Sequence, residues 1–186
     1  MTYSHLKDKR RNTVITASIA YDAIYGRKPL WETWTGRRER FKGNQMTQWG
    51  IDNEDNAIAE LEKFTNSFCV PSKKFLVHDS LPIGATPDGF IDGIPVEVKC
   101  PWTQKIYETI PERYWFQMQL QMSVVGKDKC YFMIWTPQDF KMQMVDYDQD
   151  FIDWYIPYAK QFLECVANDT PPERWSRRPI YNHKEK

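Results

Sequence analysis

No stretch of this sequence approaches the roughly eighteen consecutive apolar residues that a membrane-spanning helix requires. The opening MTYSHLKDKRRN has no apolar signal-peptide core either, so a cytoplasmic chain with no membrane partner is expected. Cysteine is sparse: Cys69, Cys100, Cys130 and Cys165 stand far apart, with no C-x-x-C pair. That spacing argues against a zinc knuckle or an iron–sulfur cluster and favours reduced, buried thiols. Net charge is absent, 25 basic residues balancing 25 acidic ones, whereas a nonspecific nucleic-acid binder is usually basic. Basic residues nevertheless cluster at Lys7 to Arg11, at Arg27 and Lys28, at Arg37 to Arg40 and at Lys73 and Lys74, and acidic ones dominate Asp146 to Asp153. Such asymmetry can put a basic groove on a neutral body, and can equally be a set of solvated faces. Internal repeats, low-complexity tracts and an interdomain linker are missing too, which leaves one domain over residues 1–186.

What is present is a globular composition, 27% charged and 15% aromatic, at a length that buries a sizeable core. Residues 1–13 read as a loosely held basic arm. Thr16 or Ser18 can cap a short helix that stops at Gly26. Residues 26 to 46, rich in Arg, Trp and Gly, read as a long excursion in which Trp31 and Trp34 are core anchors. A helix from about Gln48 to Phe68 follows, with Ile51, Ile58, Leu61 and Phe64/Phe68 on one stripe. Glu54 falls on that stripe, and a carboxylate facing a core needs a partner, either a basic side chain or a metal. Strands are predicted at Phe75 to Val77, Ile83 to Thr86 and Val96 to Cys100. Between Pro111 and Gly126, ERYWFQMQLQMSVV alternates like a strand, but its punctuation and its Met, Leu and Gln content favour a helix. Two more strands, KCYFMIW and KMQMVDY, precede an amphipathic helix over about 150–168 and an extended tail from Thr170 to 186 expected to reach another subunit. The result is a single α/β domain, a central mixed β-sheet flanked by helices.

The chemistry concentrates in Gly84 to Trp102, GATPDGFIDGIPVEVKCPW. Side chains alternate along a strand, so Glu97 and Lys99 share a face, and Asp88 can reach that face across the Asp92-Gly93 turn. Two carboxylates beside an ammonium suit a hard cation such as Mg²⁺ and the charge of a phosphate. A surface hairpin with a merely solvated face has the same spacing.

These residues carry a resemblance. PDG followed by EVKCP is similar to the PD-(D/E)XK nuclease superfamily, and VITAS (Val14 to Ser18), WGIDNEDNA (Trp49 to Ala57) and QLQMS (Gln119 to Ser123) narrow it to the phage lambda exonuclease-like family of viral recombination nucleases. The resemblance, over roughly residues 10 to 135, implies a restriction-endonuclease-like core and a Mg²⁺-dependent exonuclease, with Mn²⁺ as a substitute ion. It would degrade double-stranded DNA 5′ to 3′ from ends and leave 3′ single strands. On this reading Asp88, Glu97 and the Val98 carbonyl hold the metal and Lys99 orients the attacking water. Glu54 and Gln119 support the site, with Gln121 supporting or structural and Gln117 unassigned. Arg11, Ser18 and Thr86 hold a 5′-phosphate, and Arg27 or Lys28 enters the minor groove. The strand-parting position falls on Thr47, beside Met46. A homotrimeric ring, a single-strand annealing partner and, for a phage-encoded chain, the host cytoplasm are implied in the same way. The rival readings are an endonuclease or junction resolvase on the same core, and an inactive module that binds DNA ends.

Overall fold

The computed structural model of the chain describes residues 8–72 and 74–182. Residues 1–7 of the predicted arm, Lys73 and the last four residues of the tail lie outside them. In chain order the elements are β1 (Ile15–Thr16), α1 (Ala20–Tyr25), α2 (Arg27–Trp34), α3 (Gln45–Thr65), β2 (Val70–Pro71), β3 (Leu76–Val77), β4 (Ile83–Ala85), β5 (Gly89–Ile91), β6 (Ile94–Lys99), α4 (Glu112–Val125), β7 (Lys129–Trp135), β8 (Phe140–Asp146) and α5 (Gln149–Ala167).

The main sheet grows from one hairpin. Asp92 and Gly93 both take positive φ, 50° and 77°, as a tight turn between twisted strands demands, and they set Gly89 opposite Val96. β6 runs parallel to β7, with Glu97 level with Phe132. A parallel pair requires a crossover, and α4 is that crossover. With β8 antiparallel to β7 and β2 on the far edge, the order is β2-β5-β6-β7-β8. The mixed set of strands divides in two, because β1, β4 and β3 form a separate three-stranded sheet.

Helices cover both faces. On one, α1, α4 and α5 bury Ile24, Phe116, Phe151, Tyr155 and Phe162 against Phe132 and Ile134. Each such side chain contributes about 1.5–3 kcal/mol on leaving water. On the other, α3 lays Ala57 and Leu61 over Val96, Val98 and Met133. Asn44 caps α3 through a bond from the Thr47 N–H, 3.0 Å, and Asn66 ends it in the left-handed region.

The structure corrects several expectations. α3 begins and ends three residues early, and both phenylalanines are exposed: Phe64 meets Phe140 of the edge strand β8 edge-on, and Phe68 lies beyond the end of the helix. The excursion after Gly26 contains a helix, because Pro29 sits in the first turn of α2, where no helical bond needs its missing N–H. Neither Thr16 nor Ser18 caps α1: a 3-10 turn over Ala17–Ile19 intervenes and Ile19 occupies the cap. From Asp8 onward the basic arm is held in place, with Arg10 donating to the Phe75 carbonyl at 3.1 Å. The tail, extended as expected, folds back on its own chain. Trp175 donates to the Ile24 carbonyl, Arg178 lies 3.9 Å from the Tyr25 ring centroid, and Tyr181 donates to Asp148.

Gly84 on β4 shows how tightly this end is packed. A Cβ there would lie 2.9 Å from the Leu76 carbonyl and closer still to the buried Phe75 ring. Gly84→Ala is therefore expected to cost about 1–3 kcal/mol, read as a melting temperature lower by several degrees.

Candidate active site

β5 starts at Gly89, and Asp88, the residue before it, extends the pairing with β6 through its own N–H and its side chain. Its own N–H donates to the Val96 carbonyl at 3.0 Å, and its carboxylate accepts the Val98 N–H at 2.8 Å. That bond aims Asp88 at the carboxyl end of β6, the end at which open α/β sheets bind their ligands. Glu97 and Lys99 share a face there, as strand alternation predicts, and form an ion pair. Glu97 is fully buried. It also accepts from Gln117, at 2.7 Å, and from Gln121.

Glu54 arrives from α3 on the opposite side. With Asp88, Val98, Lys99, Gly50 and Tyr114 it lines an open cleft of about 230 Å³. Burial raises the Glu54 pKa above its ordinary value, and the charge of Glu97 raises it further. Asp88 is pushed well above the carboxylate range by burial and by Glu97; Lys99 and the Val98 N–H only partly oppose this. Burial alone would lower Lys99, but Glu97 and Asp88 outweigh it and hold the ammonium above its ordinary pKa. The surrounding carboxylates thus favour the ammonium form of Lys99.

Glu97 disfavours the charge of Asp88 and Glu54, and the single ammonium of Lys99 leaves this donor set short of positive charge. Among the described residues no group of three or more His, Cys, Asp or Glu is already drawn together as a metal centre. The chemistry fits a hard divalent ion all the same: the donors are carboxylate oxygens, and a dication would relieve the repulsion that raises Asp88 and Glu54. Cysteine takes no part. Burial pushes Cys69 up to about 11 and Cys100 up to about 12, and all four thiols are free.

The glutamines reverse the expected assignment. Gln119 points away from the carboxylates, donating to the Asp146 carbonyl and accepting from the Asp148 N–H, so it ties α4 to the β8–α5 junction. Gln117 and Gln121, four residues apart, lie on one face of the helix with Tyr114, and that face looks onto Glu97. Residue 119, two positions along, points elsewhere. The signal was available: once the segment is a helix, Tyr114, Gln117 and Gln121 follow three- and four-residue steps.

Of the anion-binding candidates, two are in direct contact. Arg11 donates to the Thr86 hydroxyl at 2.6 Å and lies 4.2 Å from the Phe75 ring centroid, so these two residues meet as expected. Ser18 is exposed, with its hydroxyl 3.3 Å from that of Thr16. Arg27 cannot reach a minor groove. It is buried against α5, donating to Gln161 at 3.0 Å under the Trp175 ring, while Lys28 beside it is exposed. Trp31 is core, as predicted. Thr47 and Met46 both line the cleft, and Met46 is largely exposed.

Known folds place this geometry. The chain resembles crystal structures of LHK-Exo, an alkaline exonuclease from Laribacter hongkongensis. The complex with dAMP is 23% identical with a TM-score of 0.77, and a second structure is 24% identical with a TM-score of 0.75. Both likenesses cover 86% of this chain and 90% of the other. A phage-related exonuclease from Haemophilus somnus is 13% identical, with a TM-score of 0.68 over 84% of this chain and 96% of that one. These likenesses establish the restriction-endonuclease-like fold. No curated protein matches the chain. Residues 8–128 match a sequence-family model, the YqaJ-like viral recombinase domain, which covers well over half of the 186 residues. The resemblance read from PDG, EVKCP and the flanking segments is thereby borne out, and the chain belongs to the YqaJ-like viral recombinase domain family.

Proposed function

We propose that this chain is a Mg²⁺-dependent exonuclease that degrades double-stranded DNA 5′ to 3′ from ends and leaves 3′ single strands for recombination by annealing. The observation that carries this reading is the convergence of Asp88, Glu54 and Lys99 on an open cleft at the end of β6, with Glu97 buried directly behind Lys99 and paired with it. Asp88 and Glu97 would hold the ion. The Val98 carbonyl would join them, because a strand residue's N–H and C=O leave the same edge and the Val98 N–H meets Asp88. The bound ion, Mg²⁺ or Mn²⁺, supplies Lewis acidity and a more acidic water.

The chain's own residues do the rest. Lys99, held protonated, offsets charge gathering on the scissile phosphate and orients the water. Gln117 and Gln121 fix the Glu97 carboxylate, and Glu54 adds an acceptor across the cleft. Release of mononucleotides is supported by the similar fold that was crystallised with dAMP. A homotrimeric ring around the duplex and delivery of the new strand to an annealing protein belong to the same proposal. A ring would retain DNA topologically, which suits a chain of zero net charge.

The decisive assay uses linear duplex labelled separately at its 5′ and 3′ ends, with Mg²⁺ or with chelator, beside a covalently closed circle. The expected result is early loss of the 5′ label with Mg²⁺ only, and an intact circle. Cutting of the circle would establish the endonuclease alternative. Light scattering reads the ring directly as three times the chain mass.

Arg11, Ser18 and Thr86 are the proposed holders of a 5′-phosphate. A charge-assisted bond of this kind contributes about 1.5–3 kcal/mol, so Arg11→Ala is expected to raise KM for 5′-phosphorylated ends about 10- to 100-fold. The same variant should leave KM for 5′-hydroxyl ends unchanged. An equal effect on both ends would show that Arg11 holds the fold, through Phe75, and not the phosphate.

A further inference from the structure

Beside the cleft lies an aromatic pair that the proposed chemistry does not use. Trp49 on α3 and Trp102, just past the end of β6, meet at 5.7 Å between centroids with their planes 88° apart. Trp49 adjoins Gly50 and Trp102 adjoins Pro101, and Gly50 and Pro101 both line the cleft, so the pair sits on its rim. Trp102 is 47% exposed. In a perpendicular pair each ring keeps at least one face clear of the other, so Trp49 braces the Trp102 indole without covering it.

The surroundings say what could cover it. Met46, one turn before Trp49 on α3, is 59% exposed and lines the same cleft. The segment leading into α3, Arg37 to Gly43, is exposed throughout and sets Phe41, itself 73% exposed, beside Lys42 and near Arg38, while Arg40 is bonded to Asn12 and Arg37 to Asp169. Aromatic faces set among cations are the combination that holds single-stranded nucleic acid, the bases stacking and the backbone neutralised. Trp102 is also three residues from Lys99, hence within about 10 Å of it along the chain. At the duplex rise of about 3.4 Å that distance spans at most about three nucleotides, and fewer where an unpaired strand is extended.

We infer that Trp102, braced by Trp49, is a stacking platform for an unpaired base of the strand held across the cleft, one to three nucleotides from the phosphate that is cut. The inference rests on the nuclease reading of the cleft. Stacking on an indole is blind to base identity, so the contact would demand that the strand be parted there and not that it have a given sequence.

The test is a binding cycle in chelator, where no hydrolysis occurs. It uses a 5′-phosphorylated duplex with a frayed end, carrying an abasic nucleotide at each of the first four positions in turn. Wild type, Trp102→Ala and Trp102→Phe are compared, and hydrolysis with Mg²⁺ is measured in parallel. The expected result is that Trp102→Ala weakens binding about tenfold and Trp102→Phe restores most of it. One abasic position should cost wild type the same tenfold and cost Trp102→Ala nothing, since a contact already lost cannot be lost twice. Additive costs, or unchanged affinity in Trp102→Ala, would overturn the inference while hydrolysis by wild type leaves the nuclease reading standing. A change of oligomeric mass in Trp102→Ala with DNA affinity intact would overturn it as well, by showing that the indole meets protein. Failure of wild type both to bind and to cut DNA would remove the nuclease reading and the inference together.

Discussion

Replacing Glu97 by alanine is expected to lower hydrolysis at least ~10³-fold, with duplex binding in chelator within a few-fold of wild type. Glu97 has two roles that alanine removes together. It is a proposed ligand to the ion, and it is the acceptor on which Lys99, Gln117 and Gln121 converge. The second role has a structural cost, since a buried donor left without an acceptor costs about 1–3 kcal/mol. Part of that cost is offset, because the charge of Glu97 is what raises Asp88 and Glu54, and its removal relieves both. Glu97→Gln separates the roles. It keeps one acceptor oxygen and the volume but loses the charge and the second acceptor, so it should fold with a melting temperature nearer to wild type than Glu97→Ala and still be inactive. Full activity in Glu97→Gln would show that the carboxylate is structural and would sink the metal assignment. Any loss confined to Glu97→Ala, and accompanied by unfolding, would have the same meaning.

Much of this site is legible in the sequence, for a physical reason. Asp88, Glu97 and Lys99 depend only on strand alternation and on a turn whose Asp-Gly pair tolerates positive φ, and both rules act within a few residues. α4 was bounded by Pro111 and Gly126, and the helix runs between them. The misreadings needed knowledge of what lies opposite. Gln119 and Gln121 differ by two positions, which on a strand share a face and on a helix do not, so an assignment by motif alone chose the wrong one. Arg27 sits in a run of basic residues, but the tail that buries it under Trp175 lies almost 150 residues away in sequence. Phe64 continues the stripe of α3 but meets only Phe140 on the edge strand β8 and stays exposed, while Phe68 falls past the end of the helix. Local pattern gives the direction of a side chain, and only the tertiary fold supplies its partner.

Acidity gives the second large effect. The carboxyl group of Asp88 has its pKa raised in the folded chain by burial and by Glu97, and Glu54 is raised by the same causes. Folded protein therefore binds more protons than unfolded protein above the ordinary carboxylate range. The stability these groups contribute is complete below their unfolded pKa, near 4, and is lost as pH rises through their folded values. Without metal, the melting temperature should fall as pH is raised from 5 to 8. The fall is at most about 3–5 °C per pH unit for each proton involved, and smaller where solvent screens Asp88. Lys99 faces both carboxylates and stays protonated across this range, so it contributes no opposing slope. Mg²⁺ must displace the same protons, so its affinity should rise with pH, and the stabilisation it confers should be greater at pH 8 than at pH 5. Activity at limiting Mg²⁺ should climb over the same interval and flatten when Mg²⁺ saturates. Asp88→Asn removes the titrating group. It should melt higher than wild type in chelator at pH 8, lose the slope due to Asp88, and gain little from Mg²⁺. A metal-free melting temperature that rises from pH 5 to pH 8, or an equal Mg²⁺ shift in Asp88→Asn, would mean that these carboxylates are paired for stability and do not await an ion.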